Sequence, residues 1–501
     1  MHSAASRPIY HVAQIREIES RRAKVTPPLM ERAGAAAAHV ARALTRGTRL
    51  SALILCGPGN NGGDGFVVAR LLRQRGFSPT VVFRGDPERL PDDARHAWHA
   101  WHAIGGDVAH EIPRRHFSLA IDALFGSGLQ RPIEGEYADL IDRINHLECP
   151  VLALDIPSGL HADSGRVLGC AVRAAHTATF IALKPGLLTL DGPDHCGDIS
   201  VHDLDLNPES VLPADAHVIT PALFPARLVP RPKNSHKGMM GGVGIIGGAP
   251  GMVGAALLAG RAALKLGAGR IYVGLIDNKA LAVDTDQPEL MLREPQEVLS
   301  SGFATALAVG PGLGRGSAAL ALLRQTIRGD LPLVLDADAL NLLASHPVLA
   351  GHVQRRGAPT LLTPHPLEAA RLLATDIAEI RDDRVRAALA LAKKLNAVTV
   401  LKGCGSIVAL PSGRWHMNTS GNPGMASAGM GDVLTGLAAA LLAQGWDAEH
   451  ALLCAVHLHG LAADRLVEQG IGPAGLTAGE TIDAARNIFN GWAKPRNQGT
   501  A

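Results

Sequence analysis

From about Leu50 the chain alternates short apolar runs with stretches of helical length and period, and this alternation constrains its fold more than any other feature. The runs at 53–56, 80–83, 119–121, 151–154 and 178–182 read as buried strands, with helices filling the gaps. Strands apolar on both faces fit a parallel sheet covered by helices above and below, which predicts an α/β, Rossmann-like, three-layer domain. A second series follows at 243–246, 271–273, 306–309, 333–335 and 398–401, and long Ala/Leu-rich helices run from Asp432 onward. Between the two series, at about 206–234, six prolines gather (Pro208, Pro213, Pro221, Pro225, Pro230, Pro232) and periodicity weakens, as in a connection between domains. The reading is therefore two α/β domains, 1–213 and 225–501, joined by 214–224, which suits a length of 501 residues.

Composition narrows the function classes. The 56 glycines and the low charged fraction of 19% suit buried strands joined by glycine turns. Lys plus Arg (48) nearly balance Asp plus Glu (46), so no global field draws the protein to nucleic acid or anionic lipid, and any phosphate recognition must be local. Six scattered cysteines without a C-x-x-C pair predict reduced thiols rather than a disulfide frame or zinc knuckle. No apolar run reaches membrane-spanning length and residues 1–22 contain no apolar leader core, so a soluble cytoplasmic protein is expected.

The first strand runs directly into Gly57-Pro58-Gly59-Asn60-Asn61-Gly62-Gly63-Asp64-Gly65, followed by a helical pattern over 66–75. Strand, glycine loop and helix N-terminus make an anion site. The string lacks the lysine and hydroxyl of a Walker loop and the spacing of the dinucleotide fingerprint. A tight structural turn needs only the glycines; Asn60, Asn61 and Asp64 add three oxygen-bearing side chains. Two further strand ends carry carboxylates, Asp122 before Leu124-Phe125-Gly126-Ser127-Gly128-Leu129-Gln130-Arg131-Pro132, and Asp155 before Ile156-Pro157-Ser158-Gly159. Each Asp taken alone can simply cap the next helix. At the carboxyl ends of parallel strands the three loops should instead converge on a ligand. Asn61, Asp122 and Ser158 offer hard oxygens with little formal charge, suited to a weakly held monovalent cation rather than zinc, which leaves Asp155 for acid–base work.

On these residues the first domain resembles the NAD(P)H-hydrate epimerase family, over about 10–213. The resemblance implies that Asn60, Asn61, Gly62, Gly63 and Asp64, the string Gly126, Ser127, Gly128, Leu129, Gln130, Arg131 and Pro132, and Tyr137 hold the hydrated cofactor. It also implies that Asn61, Asp122 and Ser158 bind potassium and that Asp155 contacts the reacting nicotinamide. Ser127 stands where many relatives have threonine, which keeps the hydroxyl.

In the second domain, Gly429-Met430-Gly431-Asp432 enters a helix and resembles the Gly-x-Gly-Asp signature of ribokinase-like enzymes. Amides at a helix start can neutralise a transferring phosphoryl group while Asp432 takes the proton of an attacking hydroxyl; the bland alternative is that Asp432 only caps the helix. With 233–238, 247–254, 310–314, 335–341, 363–368 and 401–406, this string resembles the ADP/ATP-dependent NAD(P)H-hydrate dehydratases over about 225–492. The resemblance implies a ribokinase-like fold, with nucleotide contacts from Lys402, Gly403, Cys404, Gly405, Ser406 and Gly431 and hydrate contacts from Ala255, Gly312, His365 and Asp432. His365, between two prolines, serves either the substrate or its own loop. Asp336 and Asp338 either organise a magnesium ion through water or begin a helix. His96, His99 and His102 drift around a helix without a carboxylate companion, which argues against a metal site, and His457 and His459, on an apolar helix, read as packing.

The expected activity is repair of hydrated reduced nicotinamide: epimerisation of R- and S-NAD(P)HX in the first domain, then dehydration of the S epimer in the second at the expense of ADP or ATP with magnesium. The family also implies a homo-oligomer. The competing reading is a small-molecule kinase fused to a non-catalytic nucleotide sensor.

Overall fold

The computed structural model describes residues 6–45, 50–279 and 282–493; the outer ends of the two expected domains, 1–5 and 494–501, lie outside them. Two compact units divide the chain, one spanning Arg7–Ala216 and the other running from His217 onward. No described helix is long and apolar enough to cross a membrane.

In the first unit seven strands form one parallel sheet. Their order is Val108–Ala109, Ser78–Phe83, Ser51–Cys56, Leu119–Ala123, Val151–Leu154, His176–Phe180, Asp198–His202. Successive side chains of Ser51–Cys56 face opposite ways. Leu53 and Leu55 pack with Leu140, Ile141 and Ile144 of the helix Glu136–Asn145, whereas Ala52, Ile54 and Cys56 pack beneath the helices Leu29–Leu44, Asn60–Gln74 and Asp92–Ala103. Both faces are covered, so both sets of side chains are apolar, and each fully buried leucine contributes about 1.5–3 kcal/mol. Ser51–Cys56, the first strand of this sheet in chain order, lies within it; later strands add to one side and then, from Leu119, to the other. That reversal opens a crevice above the carboxyl ends of Ser51–Cys56 and Leu119–Ala123.

Two details differ from the sequence expectation. The strand expected at 178–182 is His176–Phe180, because Ile181 takes a φ of +68° and the chain leaves the sheet there. The helix expected from Phe66 starts at Asn60, so Gly62, Gly63 and Gly65 lie inside it. They sit there for close packing: a Cβ on Gly62 would lie 1.9 Å from the Gly57 carbonyl oxygen, and one on Gly65 would strike Ala123 and Cys56 at 2.8 Å.

The second unit repeats the plan. Its sheet runs Met291–Arg293, Arg270–Leu275, Gly242–Gly247, Ala306–Val309, Leu333–Leu335, Thr360–Leu362, Val398–Leu401, all parallel, and then Ile407–Ala409 and Trp415–Met417 as antiparallel strands. Again the chain reverses beside its first strand, between Gly242–Gly247 and Ala306–Val309. The helices Val253–Lys265, Met430–Ala443, Ala448–Glu468 and Ala478–Trp492 share one apolar cluster with Val243, Ile245, Ala306, Ala308, Val334 and Val400. Two of them cross closely at Gly436, where a Cβ would lie 2.1 Å from the Ala259 carbonyl oxygen.

Candidate active sites

In the first unit's crevice three loops meet. A Cβ on Gly126 would stand 3.3 Å from both the Asn61 side chain and Asp155 Oδ2, so Gly126 separates the two by a single backbone's width. Asp155, just past Val151–Leu154, holds a φ of +65°, a strained conformation for a non-glycine residue of the kind found at functional sites. It is fixed from both sides: Ser127 N donates to Oδ2 at 3.1 Å and Lys184 Nζ to Oδ1 at 2.5 Å. Lys184 is only 1% exposed and also donates to Thr179 Oγ1 and the Phe180 carbonyl. Burial alone would push Asp155 up, but the Lys184 charge and the hydrogen bonds from Lys184 and Ser127 outweigh it and hold the carboxyl below its usual range. Asp64, one turn into the helix Asn60–Gln74, behaves in the opposite way. Burial first, then Asp155, Glu19 and Asp93, raise it well above the usual value. Two acids pushed apart in this manner can serve as proton donor and proton acceptor at neutral pH.

The expected cation ligands also come together. Asp122 is fully buried; its Oδ1 accepts from Ser158 Oγ at 2.6 Å and Leu124 N at 3.2 Å, and its Oδ2 from Ser158 N at 2.7 Å. Burial raises it to about 6 despite those three bonds. Ser158 Oγ also receives Phe125 N. Asn61, 8% exposed, has no partner among the described residues for either side-chain atom, and an orphaned buried amide calls for a ligand. A neutral amide oxygen, one carboxylate and a hydroxyl fit a monovalent cation. Around this centre Asn60, Gly128, Gln130, Arg131 and Pro132 are exposed, and Leu129 is half-buried. Tyr137 packs edge-on against Phe125 at 4.9 Å, and its hydroxyl donates to the Arg84 carbonyl. Sequence reading missed Lys184. It is one of only two lysines in the first unit, with Lys24, but nothing in the local pattern points it at Asp155, and only the fold brings the two together.

The second unit's crevice is built around Lys402, just past Val398–Leu401. Its Nζ donates to Asp336 Oδ1 at 2.9 Å, and Thr435 Oγ1 donates to Oδ2 at 2.9 Å. Asp336 is buried and begins the helix Ala337–Ser345 as its cap residue, but its carboxylate makes no cap bond and is taken instead by Lys402 and Thr435. Asp338 is also engaged, by Gly314 N and Arg315 Nε. Among the described residues no group of three His, Cys, Asp or Glu could hold a metal ion. Lys402 Nζ lies 3.1 Å from where a Cβ on Gly431 would stand, directly at the start of Met430–Ala443. Gly429 is the cap of that helix, with φ +88°, so Asp432 falls in its first turn and not at the cap. Among the described residues none donates a hydrogen bond to the Asp432 carboxylate; burial and Asp336 raise it to about 6 while Lys402 works against them. Met430 turns its side chain into the core and leaves the backbone clear.

His365 caps Pro366–Leu373 with Nδ1 receiving Leu367 N at 3.1 Å, and Glu368 Oε2 returns the bond to His365 N. Glu368, 4% exposed, is raised by burial to about 7. Ala255 and Gly312 are neighbours, with a Cβ on Gly312 falling 3.3 Å from the Ala255 Cβ. At the loop expected to meet the nucleotide, Ser406 Oγ closes back on Gly403, leaving Gly403 and Cys404 exposed. Beneath it the buried Arg384 guanidinium faces the Leu401, Lys402 and Gly405 carbonyls at 3.3–3.5 Å, a support that sequence reading missed because it sits on a helix remote in the chain.

Known proteins match both halves. The family described as YjeF-related protein N-terminus matches residues 27–186, and the family described as NAD(P)H-hydrate dehydratase matches 243–483. A bifunctional NAD(P)H-hydrate repair enzyme of Thermofilum pendens is 38% identical over 476 residues, covering 90% of this chain and 89% of the relative. The corresponding protein of Coxiella burnetii is 39% identical over 449 residues, covering 87% and 90%. Among solved structures, an ADP/ATP-dependent NAD(P)H-hydrate dehydratase of Bacillus subtilis, co-crystallised with ATP and Mg2+, is 31% identical over 54% of this chain and 95% of that one, with a TM-score of 0.48.

Proposed function

The chain belongs to the bifunctional NAD(P)H-hydrate repair enzymes, epimerase and dehydratase in one polypeptide, and from that membership we propose which of its residues carry each reaction. One observation carries the assignment: each crevice pairs a buried carboxylate with a lysine, Asp155 with Lys184 and Asp336 with Lys402, beside a second acid that is raised above its usual range. The sensor-plus-kinase alternative is set aside, because both halves match repair enzymes.

Hydration places a hydroxyl at C6 of the nicotinamide ring, next to N1. In the first crevice Asp64, protonated, donates to that hydroxyl. The C6–O bond breaks with its electron pair leaving in water, and the N1 lone pair forms a C=N bond. Water then adds to the opposite face of C6, the C=N electrons return to N1, and Asp155, held ionised by Lys184, takes the released proton. Water lost and water gained balance, and the net change is inversion. Asn61, Asp122 and Ser158 would hold potassium, which supplies a fixed charge that ties the substrate loops together.

In the second crevice Asp432 takes the proton of the C6 hydroxyl as its oxygen bonds to the terminal phosphorus of the nucleotide. The bond from phosphorus to the bridging oxygen breaks, and its electron pair leaves on the shortened nucleotide. The C6–O bond then breaks, phosphate departs with the pair and takes a proton from C5, and the C5–H electrons form the C5=C6 double bond. The exposed loop at Gly403 and Cys404, supported by Arg384, faces the nucleotide; Ala255, Gly312 and the half-exposed His365 face the hydrate. Magnesium would enter on the nucleotide phosphates, as this ion is commonly bound through substrate phosphates, and would neutralise their charge.

The assignment is tested by variants that separate the halves. Asp155→Asn abolishes epimerisation and leaves ADP- or ATP-dependent recovery from pure S epimer intact, and Asp432→Asn does the reverse. If either substitution removes both activities, or neither, the division of residues is wrong.

A further inference from the structure

Asp336, buried, and Lys402, largely buried with its side chain 22% exposed, form an ion pair whose purpose the reaction scheme above does not supply. Replacing such a pair by apolar residues of similar volume is often neutral or stabilising, so a fold has no need of it for stability. This pair is also aimed. Asp336 takes Lys402 Nζ on Oδ1 and Thr435 Oγ1 on Oδ2, so the carboxylate is held at both oxygens and cannot rotate away. Thr435 lies on Met430–Ala443, one turn beyond Asp432, and its hydroxyl is wholly buried. The ammonium is thereby set at the N-terminal end of that helix, 3.1 Å from the Cβ position of Gly431. It also lies within the field of Glu368 and Asp432. Two sources of positive potential, an ammonium and a helix N-terminus, thus coincide beside the group that takes the hydroxyl proton.

We propose that the Lys402 ammonium is a catalytic residue of the dehydratase, contacting the phosphoryl group in transit from nucleotide to the C6 oxygen, and that Asp336 and Thr435 are positioning residues that aim it. The inference rests on the reading of this crevice given above. In transit, the phosphorus gains its bond to the C6 oxygen as it loses the bond to the bridging oxygen of the nucleotide, and negative charge spreads over its equatorial oxygens. Lys402 stabilises that charge without forming a covalent bond, and the hydroxyl proton still goes to Asp432. Asp336 spends its charge orienting the ammonium, which accounts for its carboxylate making no cap bond to the helix Ala337–Ser345 that it begins.

The test uses the full-length protein with magnesium, ADP or ATP and purified S epimer, following the near-ultraviolet band of the reduced nicotinamide. Lys402→Met lowers kcat by about 100-fold or more, the scale of losing one preorganised donor to developing charge. Lys402→Arg, which keeps a cation in place, restores kcat to within about tenfold of the natural protein. Asp336→Asn lowers kcat while the KM for the hydrate stays put, a split that general loosening of the fold would not produce. Lys402→Met alone leaves a buried carboxylate unpaired and can unfold the unit, so the double variant Lys402→Met/Asp336→Asn, neutral at both positions, is the deciding one. It should melt cooperatively near the natural temperature and remain as slow as Lys402→Met. A folded double variant that turns over within about threefold of the natural protein overturns the proposal. A natural protein that leaves the S epimer untouched overturns the reading of the crevice itself, and the proposal with it.

Discussion

Lys184 is as deeply buried as the leucines of the sheet it serves, and a cation in that position is stable only because Asp155 and two oxygens of the preceding strand, Thr179 Oγ1 and the Phe180 carbonyl, receive it. Asp155 carries the complementary cost. With a carboxyl held below its usual range in the fold, it contributes stability that is present above the unfolded carboxylate value and lost as pH falls through the depressed one. Lys184→Met removes the counter-charge and leaves burial to push Asp155 up. We expect unfolding to become easier by about 3–5 kcal/mol and the acid limb of the epimerase pH profile to move to higher pH, measured by denaturant titration and by rate against pH. Asp432 shows the opposite sign. Its carboxyl rises from 3.8 to about 6 on folding, so the protonated form is favoured in the fold and stability falls as pH rises through that interval. Asp432→Asn therefore stabilises the second unit by up to about 3 kcal/mol at pH 8 while abolishing dehydration, read as a higher melting temperature in an inactive chain. In the natural protein, dehydratase kcat/KM should decline as pH falls below about 6.

At the scale of elements, both crevices follow from where a strand hands over to a helix, and the sequence announced those handovers unevenly. The buried parallel strands were legible because each is apolar throughout, as in Leu53, Ile54 and Leu55. The strand Asp198–His202 was not, since it reads Asp-Ile-Ser-Val-His and lies at the sheet edge with one side unpaired. The glycines after Gly59 looked like a loop because glycine is a poor helix former; their real reason is contact with Gly57, Ala123 and Cys56, which no local pattern encodes. This yields a paired prediction. Gly62→Ala drives a Cβ to within 1.9 Å of the Gly57 carbonyl oxygen, which should spread the substrate loop, lower stability by about 1–3 kcal/mol and depress epimerase activity. Gly59→Ala enters open space at a φ of −122° and should leave both within the noise of the measurement. Differential scanning calorimetry beside epimerase assays separates the two.

At the scale of the whole molecule, the chain uses one architectural plan twice: a largely parallel sheet whose strand order reverses part-way across, with a carboxylate–lysine pair just past the carboxyl ends of its strands. The motif residues Asn61, Asp122, Asp155 and Lys402 were visible in the sequence as loop residues at strand ends, and Asp432 at the start of a helix. The partners that tune them were not, because Lys184, Thr435, Glu368 and Arg384 reach their sites through the fold and carry no local signature. The central claim is that this single chain both epimerises and dehydrates, and the most direct measurement is the near-ultraviolet absorbance of the reduced nicotinamide when mixed epimers of hydrated NADH are incubated with the protein, magnesium and ADP or ATP. Recovery of the whole mixture is the predicted result; recovery that halts when the S fraction is exhausted would contradict the claim.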